Sequence, residues 1–268
     1  MTSLSVGPVG GYFGAPVLAP AEHGAAGDAA SDWIDSATQA AQGVGLEGLG
    51  VEARLEIGQA WLNVALRLHR GVVDGSRRTL ELMAVGAPAA ILDQSEACAA
   101  EVTDASALAF GVASAYLGAP RFPGGLEAPE PLRVDPAGLA TAIFCEDFFG
   151  GEVALGVHQA LRTSSPRPEI RPTLEAMYTA ARNRQALARA ALSWLLSGPA
   201  SGALAALGDA IPAKISWEGF AKSKPGVSDP ALNSRGLLAP EWLQEHAERC
   251  LGQELPRLRS LLLQEVCH

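Results

Sequence analysis

The chain has 268 residues, 48% of them hydrophobic, and its formal charge of −9 comes from 29 acidic against 20 basic residues. This length and composition allow a large core, in one big domain or two small ones. The negative charge repels phosphate backbones, so we expect no nucleic-acid binding. The four cysteines show no C-x-x-C spacing, so we expect neither a zinc site nor a disulfide framework.

Residues 1–30 are rich in Gly, Ala and Pro, which disfavours a packed element. They contain neither a basic region nor an apolar run typical of a signal peptide. No window reaches the roughly 20 uninterrupted apolar residues of a membrane span. We therefore expect a cytoplasmic protein without membrane partners. A short amphipathic helix is predicted over residues 31–42.

Residues 51–85 are predicted to form the first long helix, because apolar residues from Leu55 to Met83 recur three, four or seven apart. Gly86 and Pro88 end this helix, since Gly adopts a left-handed cap and Pro opens a new helix more readily than it continues one. The turn is so short that the second helix, residues 89–117, should run antiparallel to the first.

A linker over residues 118–136 separates this hairpin from a second one, predicted over residues 138–162 and 169–196. At roughly 3.3 Å per residue the linker can stretch about 60 Å, which is longer than the second helix at about 1.5 Å per residue. Two helical hairpins joined by one long crossover form the topology of a ferritin-like four-helix bundle. The fold class is therefore predicted as all-α and ferritin-like.

The predicted bundle occupies residues 51–197, with extra helical segments on both sides. Residues 1–50 form the N-terminal lead-in, and residues 198–268 form a wrap that ends in a helix over residues 240–265. Pro256 should kink or split that last helix.

The second helix carries Glu101 and Asp104, three residues apart, where the apolar pattern predicts burial. This spacing places both carboxylates on one face of the helix, as in a bundle that binds metal ions. The alternative is a solvated face, which is where most carboxylates lie.

Five stretches resemble a family of bacterial, myxobacterial-type ferritin-like domain proteins. They are TLELMAVGAP (79–88), AAEVTDASALAFGVASAYLGAP (99–120), ATAIFC (140–145), AALSWLL (190–196) and RGLLAPE (235–241). The resemblance covers residues 51–263. It implies a dimetal site with a Glu on each of two helices and a Glu-x-x-His on each of the other two.

The resemblance marks six metal-ligand positions, and this chain has there Leu68, Glu101, Asp104, Phe148, Ala186 and Arg189. Only Glu101 is unchanged, and Asp104 replaces a His. Two carboxylates cannot hold two metal ions at useful affinity, so we expect no metal and no cofactor. The alternative is iron or manganese in a rearranged site that uses Glu101, Asp104, Glu146, Glu152 and His158. The apolar surroundings of His158 favour instead a packed histidine.

Arg189 stands at a former His position, and we expect its guanidinium to face Glu101 and Asp104 in place of the metal charge. The function expected is that of a degenerate, metal-free binding, scaffold or accessory protein. The alternative is an enzyme that reuses the bundle cavity, with Glu101, Asp104 and Arg189 as catalytic groups. Other charged residues could join an acid–base site or form an ion-pair network: Glu146, Asp147, Glu152, Arg182 and Arg184.

The partner is left open by the sequence: a protein, a small molecule in the bundle cavity, or a second copy of the chain. Gly71 and Gly75, four apart in the first helix, cost roughly 1 kcal/mol each relative to Ala. They indicate either close helix packing or a pocket, and the sequence does not separate the two.

Overall fold

The structure is a computed structural model that describes residues 33, 38, 44–124, 131–164, 167–201, 235–238, 240–254, 256, 257 and 260. This part of the chain is mostly helical and has no β-strand, which confirms the all-α class. Its α-helices are α1 (Val51–Ala84), α2 (Ala89–Leu117), α3 (Pro136–Ala142), α4 (Gly150–Ser164), α5 (Arg171–Ser197) and α6 (Pro240–Arg249). Two π-helical segments, Ile143–Phe149 and Cys250–Glu254, follow α3 and α6 directly.

The first hairpin begins and ends where its turn residues predict. Gly86 adopts a left-handed conformation (φ 79°) and Pro88 precedes α2, while Gly118 (φ 70°) ends α2 in the same way. The first helix of the second hairpin differs more from expectation. It begins at Pro136, where the Asp135 side chain accepts a hydrogen bond from the Gly138 amide (2.6 Å), and its middle is π-helical.

In the described chain α1 packs on α2, α2 packs on α5, and α5 also contacts α4 and the segment Ile143–Phe149. The linker after α2 contacts this assembly at two distant points. The Arg121 amide donates to Ser114 Oγ (2.8 Å) near the end of α2, and the Arg133 amide donates to Glu81 Oε1 (3.1 Å) near the end of α1. Because α1 and α2 are antiparallel, these points lie at opposite ends of the hairpin.

Two apolar clusters form the core. One gathers residues from Leu139 to Val153 with the second half of α5, and the other gathers the first half of α1, the second half of α2 and the start of α5. Along α1 the stretch between the clusters carries Gly71, Gly75 and Arg78, and along α5 it carries Arg184. The helices therefore bring charged residues into a layer between two dry regions.

The predictions for residues 1–30 and for the wrap over residues 202–234 lie outside the described residues. Trp33 and Thr38, within the predicted short N-terminal helix, are helical. The last predicted helix begins at Pro240 as expected but becomes π-helical at Cys250, before Pro256. Within the described chain, every helix is too short or too polar to cross a membrane.

Candidate functional site

Glu101 and Asp104 do not form a buried pair, contrary to the expectation from the sequence. Glu101 is half-buried, and its Oε1 accepts a hydrogen bond from Asn183 Nδ2 of α5 at 2.7 Å. Asp104 is exposed. The buried face of α2 here contains Val102 and Ala105. Because α2 has small apolar residues on all sides, its sequence pattern does not indicate which face is buried.

Arg189 lies on the exposed face of α5, with its guanidinium carbon 5.9 Å from the ring centroid of Phe148. Ala186, one turn earlier, is also exposed, whereas Leu68 and Phe148 are buried in the apolar clusters. The positions that the resemblance marks as ligands therefore do not share one interior layer. An open concavity of about 470 Å³ adjoins Arg189, and its described lining contains no carboxylate.

Arg184 is the α5 arginine that reaches the interior, and it does so through Asp147. Asp147 is 4% exposed, and its side chain accepts hydrogen bonds from both α1 and α5. Oδ2 accepts from Arg78 Nε (2.7 Å), and Oδ1 accepts from Arg184 Nη2 (2.6 Å) and Nε (3.2 Å). One buried carboxylate thus joins α1 to α5 through two guanidiniums.

Arg78 extends this contact into a network, because its three nitrogens serve three carboxylates. Nη1 donates to Glu81 Oε2 (2.5 Å) and Nη2 donates to Glu146 Oε2 (2.9 Å), besides the bond from Nε to Asp147. Arg133 of the linker donates to Glu146 Oε1 (3.0 Å), and Arg77 lies 3.6 Å from Glu146 Oε2. We call these seven residues the internal ion network: Arg77, Arg78, Glu81, Arg133, Glu146, Asp147 and Arg184.

The π-helical segment explains how the neighbouring residues Glu146 and Asp147 both reach Arg78. Consecutive side chains of an α-helix diverge by about 100°, and the wider π-helical turn narrows that angle. Every residue of Ile143–Phe149 is buried, so both carboxylates lie in the interior among the arginines. The segment therefore serves to aim two charges inward.

The pKa values of the network follow from burial set against opposite charge. Burial alone raises the pKa of Asp147, but Arg78 and Arg184 outweigh it and hold that pKa below its ordinary value. Burial raises the pKa of Glu146, helped by the neighbouring Asp147, and its arginines do not fully offset the rise. Burial lowers the pKa of Arg78, yet Asp147, Glu146 and Glu81 reverse this and leave it raised. The pKa values of the two adjacent carboxylates thus shift in opposite directions, because opposite charge outweighs burial at Asp147 and burial prevails at Glu146.

A cavity of about 20 Å³ lies beside the network, with room for about one water molecule. Gly71 and Gly75 both line this cavity, and both also lie where α1 packs on α2. A Cβ on Gly71 would lie 3.4 Å from Val102 Cγ1, and one on Gly75 would lie 3.6 Å from Ala99 Cβ. Both distances are ordinary contacts, so α1 and α2 pack closely here without demanding glycine.

The Cys98 thiol also lines this cavity. Burial raises its pKa to about 11, helped by the negative charge of Glu101. Reactive cysteines have lowered pKa values, so Cys98 is not an activated nucleophile.

These donors do not fit a dimetal centre. Guanidinium groups have no lone pair for a metal ion, and each interior carboxylate of the network already accepts hydrogen bonds from arginine. Glu152 accepts a hydrogen bond from Gln185 Nε2 and lies 3.6 Å from Arg257, while His158 is buried on α4. Within the described residues, no three His, Cys, Asp or Glu side chains gather as a metal site would require. The alternative ligand set drawn from the sequence is therefore not brought together there.

From the sequence, Glu146, Asp147 and Arg184 were expected only as part of an alternative site. The other four residues of the network were not predicted: Arg77, Arg78, Glu81 and Arg133. A signal was available in the sequence. Two adjacent carboxylates interrupt the apolar run IFCEDFF, and two adjacent arginines precede Thr79 in the first helix. Paired charges inside apolar runs on two helices indicate an internal ion pair, since unpaired charges are almost never fully buried.

Comparison with protein-family models, curated proteins and solved structures finds no match to this chain. Fold and site thus define an all-α protein with a charged layer between two apolar clusters.

Proposed function

We propose that the chain is a ferritin-like four-helix bundle that has lost its dimetal centre and acts as a binding, scaffold or accessory protein. Two features of the fold support the ferritin-like part of this proposal. The pairs α1/α2 and α3–α4/α5 behave as two hairpins, and the linker between them contacts opposite ends of the first. One long crossover between two hairpins is the connectivity of that fold.

The observation that carries the proposal is the placement of Asp147 between Arg78 and Arg184. In a dimetal bundle, inward carboxylates compensate the charge of the metal ions, which are the largest local charges in such a site. Here two guanidiniums, bonded at 2.7 and 2.6 Å, compensate the inward carboxylate instead. In this proposal Arg78 and Arg184 supply the positive charge that the metal ions would supply, whereas the sequence had pointed to Arg189 for that role.

The size of the cavity favours a scaffold over an enzyme that reuses the bundle interior. About 20 Å³ admits a water molecule and no organic substrate. The catalytic set proposed for such an enzyme is also dispersed, since Asp104 and Arg189 are exposed while Glu101 bonds to Asn183. The enzyme stays a prediction from the sequence that this geometry does not favour.

Iron loading tests the proposal. The purified protein is incubated with ferrous iron without oxygen, desalted, and analysed for metal, beside the variant Glu101→Ala and the control Glu96→Ala, an exposed carboxylate of the same helix. We expect the same substoichiometric iron content in all three proteins. About two iron ions per chain in the wild type, lost in Glu101→Ala and kept in Glu96→Ala, would overturn the proposal.

A further inference from the structure

The C-terminal helix α6 contacts α4 through a histidine that fits over a glycine. His246 is 7% exposed, and its imidazole lies directly against Gly156 of α4. A Cβ on Gly156 would overlap the Cε1 and Nε2 atoms of the ring. The docked position of α6 therefore requires glycine at residue 156.

The hydrogen bonds of His246 define its protonation state. Arg249 Nη2 lies 2.8 Å from Nδ1, and a guanidinium nitrogen can only donate, so Nδ1 must be the unprotonated acceptor. The proton then resides on Nε2, which donates to the Val153 carbonyl of α4 at 3.1 Å. The Trp242 ring stacks on the imidazole, with ring centroids 4.9 Å apart. The docked imidazole is thus neutral.

We propose that α6 is a pH-sensitive clasp, which docks on α4 while His246 is neutral and releases when His246 is protonated. A proton on Nδ1 would point at the N–H groups of Arg249 and abolish the hydrogen bond between them. It would also place a second positive charge beside the guanidinium in a buried site, which is unfavourable. This inference concerns the C-terminal helix and does not depend on the function proposed for the internal ion network.

The other charged and titratable groups around His246 do not remove this penalty. The Cys250 thiol lies 3.5 Å from Nε2, and burial raises its pKa to about 11, so it stays uncharged. Two carboxylates are near, Glu254 after α6 and Glu152 on α4, and Arg257 contacts both, at 2.6 and 3.6 Å. Within the described residues, both carboxylates near His246 are therefore already paired with Arg257, and neither is left to stabilise a charged imidazole.

The direction of the His246 pKa agrees with this geometry. Burial lowers it, and Arg249 lowers it further, while the bond to Val153 and the charge of Glu254 raise it; the result lies below the ordinary 6.5. A group with a lowered pKa in the docked state favours docking above its undocked pKa. Docking should thus be complete above about pH 6.5 and weaken as the pH falls below that value.

Release would expose the Gly156 face of α4 and the Cys250 side chain, which is 3% exposed and belongs to the apolar cluster of α5. Amide hydrogen exchange read by mass spectrometry tests the clasp at about pH 7.5 and about pH 5. Rates are normalised at each pH to an unstructured reference peptide, and peptides from α1 report global folding. We expect protection over residues 240–254 to fall at the lower pH, by up to about thirtyfold for an undocked pKa near 6.5, with α1 unchanged.

Three variants make the test specific. His246→Gln keeps a donor and an acceptor without a titrating group, so the pH dependence should vanish. Gly156→Ala should expose α6 at both pH values, whereas Gly252→Ala, whose added Cβ would meet nothing within 4 Å, should behave like the wild type. Equal protection of wild-type α6 at both pH values, or a pH dependence that survives His246→Gln, overturns the proposal. If Gly156→Ala fails to fold, as loss of α1 protection would reveal, the His246→Gln comparison decides.

Discussion

Replacing Asp147 by Asn tests how strongly the internal ion network holds the helices together. Asp147 is 4% exposed and accepts three hydrogen bonds from Arg78 and Arg184. Asn removes the charge that both guanidiniums share, and its amide nitrogen cannot accept from either of them. Breaking a buried ion pair in this way costs about 3–5 kcal/mol, a large part of the roughly 5–15 kcal/mol that stabilises a typical protein.

Urea unfolding followed by circular dichroism measures this loss, with Asp104→Asn as the matched control on an exposed carboxylate. We expect the midpoint of Asp147→Asn to shift by an amount equivalent to about 3–5 kcal/mol, and that of the control by less than about 0.5 kcal/mol. If the free energy of unfolding of Asp147→Asn lies within about 1 kcal/mol of the wild-type value, the network contributes no more than a surface ion pair and does not hold the helices together.

Three further predictions concern neighbouring residues. The raised pKa of Glu146 means that its ionised form opposes folding near neutral pH, so Glu146→Gln should destabilise less than Asp147→Asn in the same urea assay; an equal loss would contradict this. Gly71→Ala should raise the melting temperature by the equivalent of up to about 1 kcal/mol, because Ala favours the helix more than Gly and its Cβ would make an ordinary contact, 3.4 Å from Val102. A clear drop in the melting temperature would mean that the site has no room for this methyl group. His158, with a pKa of about 4, should show no titration by NMR between about pH 5 and 8. Because its pKa is lower in the folded than in the unfolded chain, the free energy of unfolding should decrease as the pH falls below about 6.5. An NMR titration with a midpoint at about pH 6.5 would contradict the burial of His158.

The sequence was sufficient to place the first hairpin. Apolar residues at helical spacing define α1, and Gly86, Pro88 and Gly118 mark its turn and the end of α2 through their restricted or left-handed backbones. These signals are local, which is why they survive without any knowledge of tertiary contacts. The rotation of a helix about its own axis depends on tertiary contacts, and for α2 the prediction was wrong. Small apolar residues occur on all sides of α2, so Asp104 was expected in the interior.

The internal ion network was harder to predict because its contacts span helices. Arg78 and Asp147 are separated by 69 residues, and no spacing within one helix announces their pairing. The π-helical turn adds a second obstacle, since it shifts the register of every residue that follows Ile143 relative to an α-helical count. The resemblance placed the interior arginine at Arg189, whereas packing places Arg184 inside and Arg189 on the outer face of α5.

Thermal unfolding with added metal distinguishes guanidiniums from metal ions as the groups that compensate the interior carboxylates. A ligand that binds only the folded state raises stability by about 2.7 kcal/mol at a hundred times its dissociation constant. Ferrous iron and manganese, each at about that excess for a tight site, are compared with a chelator for the wild type and Glu101→Ala. If the guanidiniums compensate these carboxylates, each protein should show one melting temperature, within about 1 °C, under all of these conditions. A rise of several degrees in the wild type that is lost in Glu101→Ala would instead indicate a metal site in the folded protein.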